Sequence, residues 1–446
     1  MQGSLQNNRT RDWTYFLLLT LSFFSMVNYV LRDTIGHIPY VGGLIAAWKE
    51  VLILLLYIAY YQKSKAQGHF NWKSTRLHKL ILFVAIAAVL SAIYNWVADP
   101  MTLRIQPKPY TWVPVHLDLS TFVDGMRTLL EASLYFFVLN ALLDDEDVIQ
   151  DMINAMIVAA VVVAAFGIGQ KMAGVESPKD WVYSEHESNI KLRVFSTIGN
   201  PNALGGYMVL ITPIAISLAI YAKDWLKRSL YGIAALLMLY TMVMTYSRGA
   251  WIGFIAGMAL YTLITRNKWL AGLGIAGLIA APIVAPDIVS RLTLAFTPEY
   301  LNKSSNKGRV EFWTRAYKIW RESPIFGTGI GTVGDSVATR HNMPGATWID
   351  NQYVKLLAET GLIGIIAYVS MVFAPIIAGA KSVFGSKQKG TYLYALNAGI
   401  TAALFGLIVE NVTAAIIEDL NVTTHFWVLI AILYVGIRMA REKANA

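Results

Sequence analysis

The residues best equipped for chemistry lie in one long polar stretch, Asp287 to Asn351, and in two short segments far upstream of it. The stretch ends in Asp350-Asn351-Gln352-Tyr353, directly before a long apolar run. Asp350 has two readings: the N-cap of a helix that begins there, or a carboxylate held at a cavity mouth as a general base. His341 is a second candidate base, with a plain solvated loop histidine as its alternative. Upstream, Arg193 precedes Gly199-Asn200-Pro201-Asn202. Proline suits the first turn of a helix, Asn200 or Asn202 would cap it, and the unpaired N–H groups at the positive end would receive an anion. The alternative is a capped helix and nothing more. Arg248 sits in the turn Tyr246-Ser247-Arg248-Gly249, between two apolar runs. It either snorkels to lipid phosphate or turns inward.

These polar segments need a scaffold, and composition says of what kind. The chain has 446 residues, 56% hydrophobic and 15% charged, with a mean hydropathy of +0.48. A soluble enzyme carries about a quarter charged residues. The apolar residues come in blocks long enough to cross a hydrocarbon core of about 30 Å as helices. The reading is an all-α polytopic membrane protein of about twelve spans, at 14–30, 43–61, 79–97, 119–143, 150–172, 201–222, 229–246, 249–265, 269–285, 352–378, 391–416 and 424–439. The first run has no small-residue cleavage site and reads as an anchor, not a signal peptide. With no cysteine in the chain, disulfides, thiolate zinc sites and a cysteine nucleophile are excluded. The net charge of +9 does not point to nucleic acid, because the basic residues sit mostly in short loops between spans.

Those loops orient the protein. With Arg9 and Arg11 counted, about eighteen basic residues fall on the N-terminal side and about four in the short loops opposite, which sets both termini in the cytoplasm. The segments 98–118, 173–200, 286–351 and 417–423 then face outward. Residues 1–285 form nine spans, 286–351 a large outer loop, and 352–446 three spans and a tail. The run Asp144-Asp145-Glu146-Asp147 looks like a metal site, yet acidic residues capping the next helix explain it better. Asp124, Arg127 and Glu131 share one face of the fourth span, either as an internal ion-pair ladder or with Arg127 lining a polar cavity open to the outside. Lys49 and Glu50 carry the same ambiguity. In the outer loop, Trp313, Ala316, Tyr317 and Trp320 recur with a helical period, which predicts a helix lying flat in the membrane interface. The formal GxGxxG at Gly327–Gly334 lacks a surrounding βαβ unit. It reads as a turn that lets backbone approach a ligand.

Taken together, Arg193-x-Phe-x-Thr-x-Gly-Asn-Pro-Asn202, Ser247-Arg248-Gly249-Ala250, Gly308-Arg309 through Trp, Pro324 and Gly327-Thr-Gly-Ile-Gly331, and Asp350-Asn351-Gln352-Tyr353 through Leu-Ala-Glu359-Thr-Gly-Leu-Ile-Gly364 resemble the O-antigen ligase and polymerase superfamily. The motifs occur in the family's order. The resemblance implies an inverting glycosyltransferase of the GT-C type in the cytoplasmic (inner) membrane, with its active site on the outer face. It implies a donor glycan on undecaprenyl diphosphate, a glycan or lipid-linked acceptor, and neither metal nor cofactor. A chain-length regulator or flippase would be a further partner. Arg193, Arg248 and Arg309 would grip the diphosphate, as a guanidinium forks onto phosphate oxygens, with Asn200, Asn202 and Asn351 beside them. The family's ligases carry His-Asn where this chain has Asp350-Asn351, so Asp350, or His341 reaching in, would be the base. Polymerisation or en bloc transfer of repeat units is the expectation. A ligase or protein O-oligosaccharyltransferase is the same-fold alternative, and a transporter of lipid-linked glycans the distant one.

Overall fold

A computed structural model describes residues 13–36, 38, 42–70, 72–97, 101–105, 111–178, 192–284, 286–294 and 297–445. Arg9 and Arg11 of the topology argument, and residues 179–191 of the second outer segment, lie outside the described residues. In chain order the elements are α1 (Trp13–Ser22), α2 (Phe24–Asn28) continued by a π-helix (Tyr29–Ile35), α3 (Gly42–Ala46), α4 (Trp48–Gln67), α5 (Arg76–Val97) and a small antiparallel hairpin, β1 (Met101–Ile105) with β2 (Thr111–Val115). Next come α6 (Leu119–Leu130), α7 (Ser133–Leu142), α8 (Glu146–Met172), a 3-10 turn (Ser196–Ile198), α9 (Pro201–Tyr221), α10 (Trp225–Met244), α11 (Arg248–Thr265) and α12 (Lys268–Val284). The long polar stretch, expected on the outer side, holds α13 (Pro286–Leu294), α14 (Pro298–Lys307), α15 (Arg309–Glu322) and α16 (Asp335–Arg340). The chain closes with α17 (Gln352–Phe384), α18 (Tyr392–Glu410), a second 3-10 turn (Ile416–Glu418) and α19 (Leu420–Asn445).

Each of the twelve apolar runs is helical, but they are not twelve equal spans. Among the described residues, 8 helices are long and apolar enough to cross a membrane, or 9 if α1 and α2, bent by 80°, make one broken span. The remaining three runs fall short for separate reasons. α4 opens on Lys49 and Glu50 and closes on Lys63 and Lys65. The run 119–143 breaks at Glu131-Ala132 into α6 and α7. α12 has 17 residues, about 25 Å of rise.

The centre of the bundle is α9, α18 and α19, apolar on every side and buried nearly all round, as expected of a helix with no solvent-facing stripe. α11 crosses α18 closely: a Cβ on Gly253 would stand 2.5 Å from the Gly406 carbonyl oxygen, and one on Gly257 2.5 Å from that of Ala402. Small residues four apart let the two backbones meet.

Two features of the outer loop differ from expectation. α15 does not leave its apolar face to lipid. Ala316 and Ile319 are buried with Val333, Ala338, Met343, Ile349 and Ala358 of α17 in a small core separate from that of the bundle. The Trp313 indole donates to the Ile349 carbonyl (2.9 Å) and that of Trp320 to Pro324 (3.0 Å), leaving only Tyr317 half-exposed. The glycine-rich turn makes its close approach to the chain's own backbone. α17 is interrupted at Gly361 (φ 63°, ψ −165°), and residues 324–329 dock on the break. Thr328 N–H donates to Ala358 O (3.1 Å), Gly329 N–H to Glu359 O (2.8 Å), and Leu362 N–H to Pro324 O (2.9 Å). Gly327, at φ 73°, lies so close to the Glu359 peptide that a Cβ would collide with it. The loop thus satisfies backbone groups that the break in the helix frees.

Candidate functional site

Arg193 is held before it meets any ligand. Its N–H donates to the Ser177 hydroxyl (2.6 Å), which donates back to the Arg193 carbonyl (2.9 Å). Its Nε donates to Thr245 O (2.9 Å) at the end of α10, and its Nη2 to Asn202 Oδ1 (2.7 Å) in the first turn of α9. Arg248 is the first residue of α11, capped by Ser247, whose hydroxyl accepts from Ala250 N–H (3.4 Å). Tyr246, at φ 51°, makes the sharp turn that brings Arg248 round. Arg309 is the first residue of α15, and its Nε donates to Asp350 Oδ2 (3.0 Å).

These three arginines and Asn202 line one pocket of about 70 Å³, together with a fourth, Arg291 of α13. Arg291 is buried; its Nε donates to Tyr246 O (3.0 Å) and its guanidinium lies 5.7 Å from the centre of the Tyr246 ring. Three helices, α9, α11 and α15, begin at this pocket, so their positive ends add to the guanidinium charge. Asp350 reaches the cluster through Arg309 and is not itself part of the wall. Such an arrangement is built for an anion carrying several oxygens.

The other expected residues sit elsewhere. Asn200 is the cap of α9, accepting from the N–H groups of Asn202 (2.8 Å) and Ala203 (3.2 Å), and it does not line the pocket. Asn351 caps α17, accepting from Tyr353 and Val354 N–H (both 3.0 Å). The cap is therefore Asn351 and not Asp350, which stands just outside the helix at φ 53°. That left-handed turn is tied down by buried Asp335: its Oδ1 accepts from the N–H of Ile349 (2.9 Å) and of Asp350 (3.4 Å). Burial pushes the Asp335 carboxyl up to about 7, against the opposing pull of Lys355.

His341 lies apart from Asp350, with Nε2 3.2 Å from Asp124 Oδ2 and Nδ1 3.4 Å from Ser120 Oγ. Arg340 Nη1 donates to the same Asp124 oxygen (2.6 Å). Asp124 and Arg340 belong to the wall of a second, larger cavity, which Arg127 and Lys49 also line. On the charged face of α6, Arg127 and Glu131 form part of an ion-pair network and Arg127 also lines the cavity, while Asp124 pairs outside that network. Arg127 pairs with Glu50 (2.6 Å) and Glu131 (3.3 Å), Lys49 pairs with both carboxylates too, and the network forms part of the cavity wall. The acidic run at 144–147 is structural: Asp145 caps α8, while Lys63 pairs with Asp144 (2.7 Å) and Lys443 with Glu146 (2.5 Å).

Sequence reasoning had no handle on Arg291, Asp335 or Glu410. Glu410, at the end of α18, is buried where Gly206, Gly249 and Gly253 leave room for it, and in the sequence it is only a lone carboxylate inside the apolar run 391–416.

Residues 233–369 match the family described as O-Antigen ligase. The match takes in Arg248, Arg291, Arg309, His341 and Asp350 and leaves out Arg193 and Asn202. An uncharacterized protein of Haemophilus influenzae is 27% identical over 191 residues, 36% of this chain and 46% of that protein. The teichuronic acid biosynthesis protein TuaE of Bacillus subtilis is 25% identical over 235 residues, 47% of this chain and 45% of that protein. The chain thus spans under half the length of the curated relatives it matches.

Proposed function

We propose that this chain, a multi-pass membrane protein with an O-antigen ligase family domain, is an inverting glycosyltransferase of surface-polysaccharide biosynthesis. It extends or transfers glycan repeat units carried on a polyprenyl diphosphate. Both termini face the cytoplasm and the arginine pocket opens on the outer side. The observation that carries the reading is the convergence of four arginines, far apart in sequence, with three helix N-termini in one pocket.

The donor diphosphate lies among Arg193, Arg248, Arg291 and Arg309. The acceptor hydroxyl oxygen attacks the anomeric carbon on the face opposite the diphosphate. The bond from that carbon to the phosphate oxygen breaks, its electron pair leaves on the diphosphate, and the configuration inverts. Guanidiniums already in place stabilise that growing charge without reorganisation, the kind of contact whose removal costs about 10²–10³ in turnover. The hydroxyl proton passes to the Asp350 carboxylate, which Arg309 orients. A second reading gives this step to His341, and the observation favouring it is the Asp124 contact that fixes the ring.

The test is reconstitution in liposomes with lipid-diphosphate-linked repeat units. A polymerase builds a ladder of longer glycans from donor alone, a ligase needs a separate acceptor, and a transporter moves the donor without lengthening it. Arg193→Ala and Arg248→Ala should lower turnover by about 10²–10³ while the protein stays folded. Wild-type rates in both variants sink the clamp. Asp350→Asn should be inactive, and full activity there moves the base to His341.

A further inference from the structure

We infer that the larger cavity is a saccharide site that receives an uncharged, hydroxyl-rich stretch of glycan, while the arginine pocket receives the anion. This rests on the reading above and goes beyond it in assigning the second cavity and the sugar chemistry it takes. Three observations carry it.

The first is size. The cavity has a volume of about 660 Å³, against about 70 Å³ for the arginine pocket. Ligand sites run to roughly 300–1,000 Å³, so the cavity has room for a short saccharide, while the arginine pocket has room for little more than the oxygens of an anion.

The second is charge. The wall carries four cations, Arg32, Lys49, Arg127 and Arg340, and four carboxylates, Asp124, Glu131, Glu418 and Asp419. Most are already matched: Lys49 and Arg127 with Glu131, Arg340 with Asp124 (2.6 Å), and Glu418 with Lys355. Arg32 acts on Asp419 through space. A paired guanidinium keeps spare N–H donors and a paired carboxylate keeps spare lone pairs, which a sugar hydroxyl, donor and acceptor at once, can use without breaking an ion pair. An anionic ligand would have to displace a carboxylate. The arginine pocket is the opposite case, with four arginines and, among the described residues, no carboxylate in its wall.

The third is placement. The same two stretches of chain wall both spaces. Arg193 and Asn202 serve the arginine pocket while Thr197 and Ile198 between them serve the cavity. Thr413 and Ala414 serve the pocket, and Asp419, Asn421 and Thr424 serve the cavity. The bent first span completes the wall. Asn28 and Arg32 reach it at the π-helix, a distortion often found at functional sites, and Asn28 Nδ2 donates to Asn421 Oδ1 (3.2 Å).

The experiment is saturation-transfer NMR on the full chain in detergent. The probes are a neutral hexose trisaccharide, an N-acetylated trisaccharide, a uronic acid trisaccharide and inorganic pyrophosphate. The neutral or the N-acetylated trisaccharide should show transfer that pyrophosphate does not displace, and the uronic acid should show little. Arg127→Gln and Thr424→Val, checked by thermal melting, should each weaken sugar binding, by about tenfold for the arginine, with pyrophosphate binding unchanged. In the liposome assay the same variants should raise the KM of donor or acceptor more than they lower kcat; which KM rises tells whose glycan sits there. Silence from both uncharged sugars, preference for the uronic acid, displacement by pyrophosphate, or unaltered binding in both folded variants would overturn the assignment. Pyrophosphate binding that survives Arg248→Ala would instead sink the diphosphate clamp and leave the sugar result standing.

Discussion

Arg291 shows how a side chain without a motif joins a site. Its Nε is spent on Tyr246 O (3.0 Å), and Tyr246 belongs to the turn that delivers Arg248, so Arg291 both lines the pocket and braces its neighbour. Arg291→Ala should therefore raise the donor KM and lower kcat/KM by about 10- to 100-fold, in keeping with loss of a charge-assisted hydrogen bond; steady-state kinetics in liposomes would read it, and an unchanged kcat/KM would remove Arg291 from the site. Asp335 makes a prediction of a different kind. Burial raises its carboxyl from the ordinary carboxylate range to about 7, so the folded chain holds that proton more tightly than the unfolded one. Its contribution is full below about pH 4 and is lost as pH rises towards 7. The groups that face it are Lys355, Glu418 and Asp350. Asp335→Asn keeps the acceptor for the Ile349 and Asp350 amides while abolishing titration. Because burial also raises Asp419, to about 6, thermal melts of this variant between pH 4 and 7 should show a shallower downward slope than wild type; identical slopes would count against the assignment.

Helices were legible wherever apolar runs were long, because such runs have no other way to satisfy their backbone in lipid. What could not be read was where they break. Leu357-Ala-Glu-Thr-Gly361-Leu-Ile reads as continuous helix, yet Gly361 leaves it, because Pro324, Ile325 and Thr328 arrive from thirty-odd positions upstream to take the freed backbone groups. The arginines at 193, 248 and 309 announced themselves by motif, whereas the Asp124–His341 contact joins residues 217 positions apart and leaves no trace in local spacing. The α15 stripe was read with the right period and the wrong partner, since amphipathicity reports that a face is covered and not by what. The α11–α18 crossing is equally invisible without its partner helix. Gly257→Leu should be destabilising, at the upper end of the roughly 1–3 kcal/mol typical of overpacking because a carbonyl oxygen blocks the new Cβ. Gly272→Leu, on α12 with nothing within 4 Å of a Cβ, should be neutral. Equal melting temperatures for the two variants would contradict the packing described.

The orientation proposed for the whole molecule rests on basic-residue counts, and a chain without cysteine makes it easy to test. Single cysteines at Ser305, exposed in the outer loop, and at Arg441, exposed in the tail, should label differently in intact cells. An impermeant maleimide should modify the first and spare the second. Labelling of the tail, or of both, would invert or abolish the proposed orientation, and with it the outward opening of the arginine pocket.

The docking of residues 324–329 onto the interrupted helix has one more consequence. Because the loop's backbone is bonded to both sides of Gly361, the stub from Gln352 to Thr360 is mechanically a part of the extramembrane body, and Asp350 travels with it. If Asp350 is the base proposed above, an antibody fragment gripping that body should shift the carboxylate and slow turnover without ever entering a cavity.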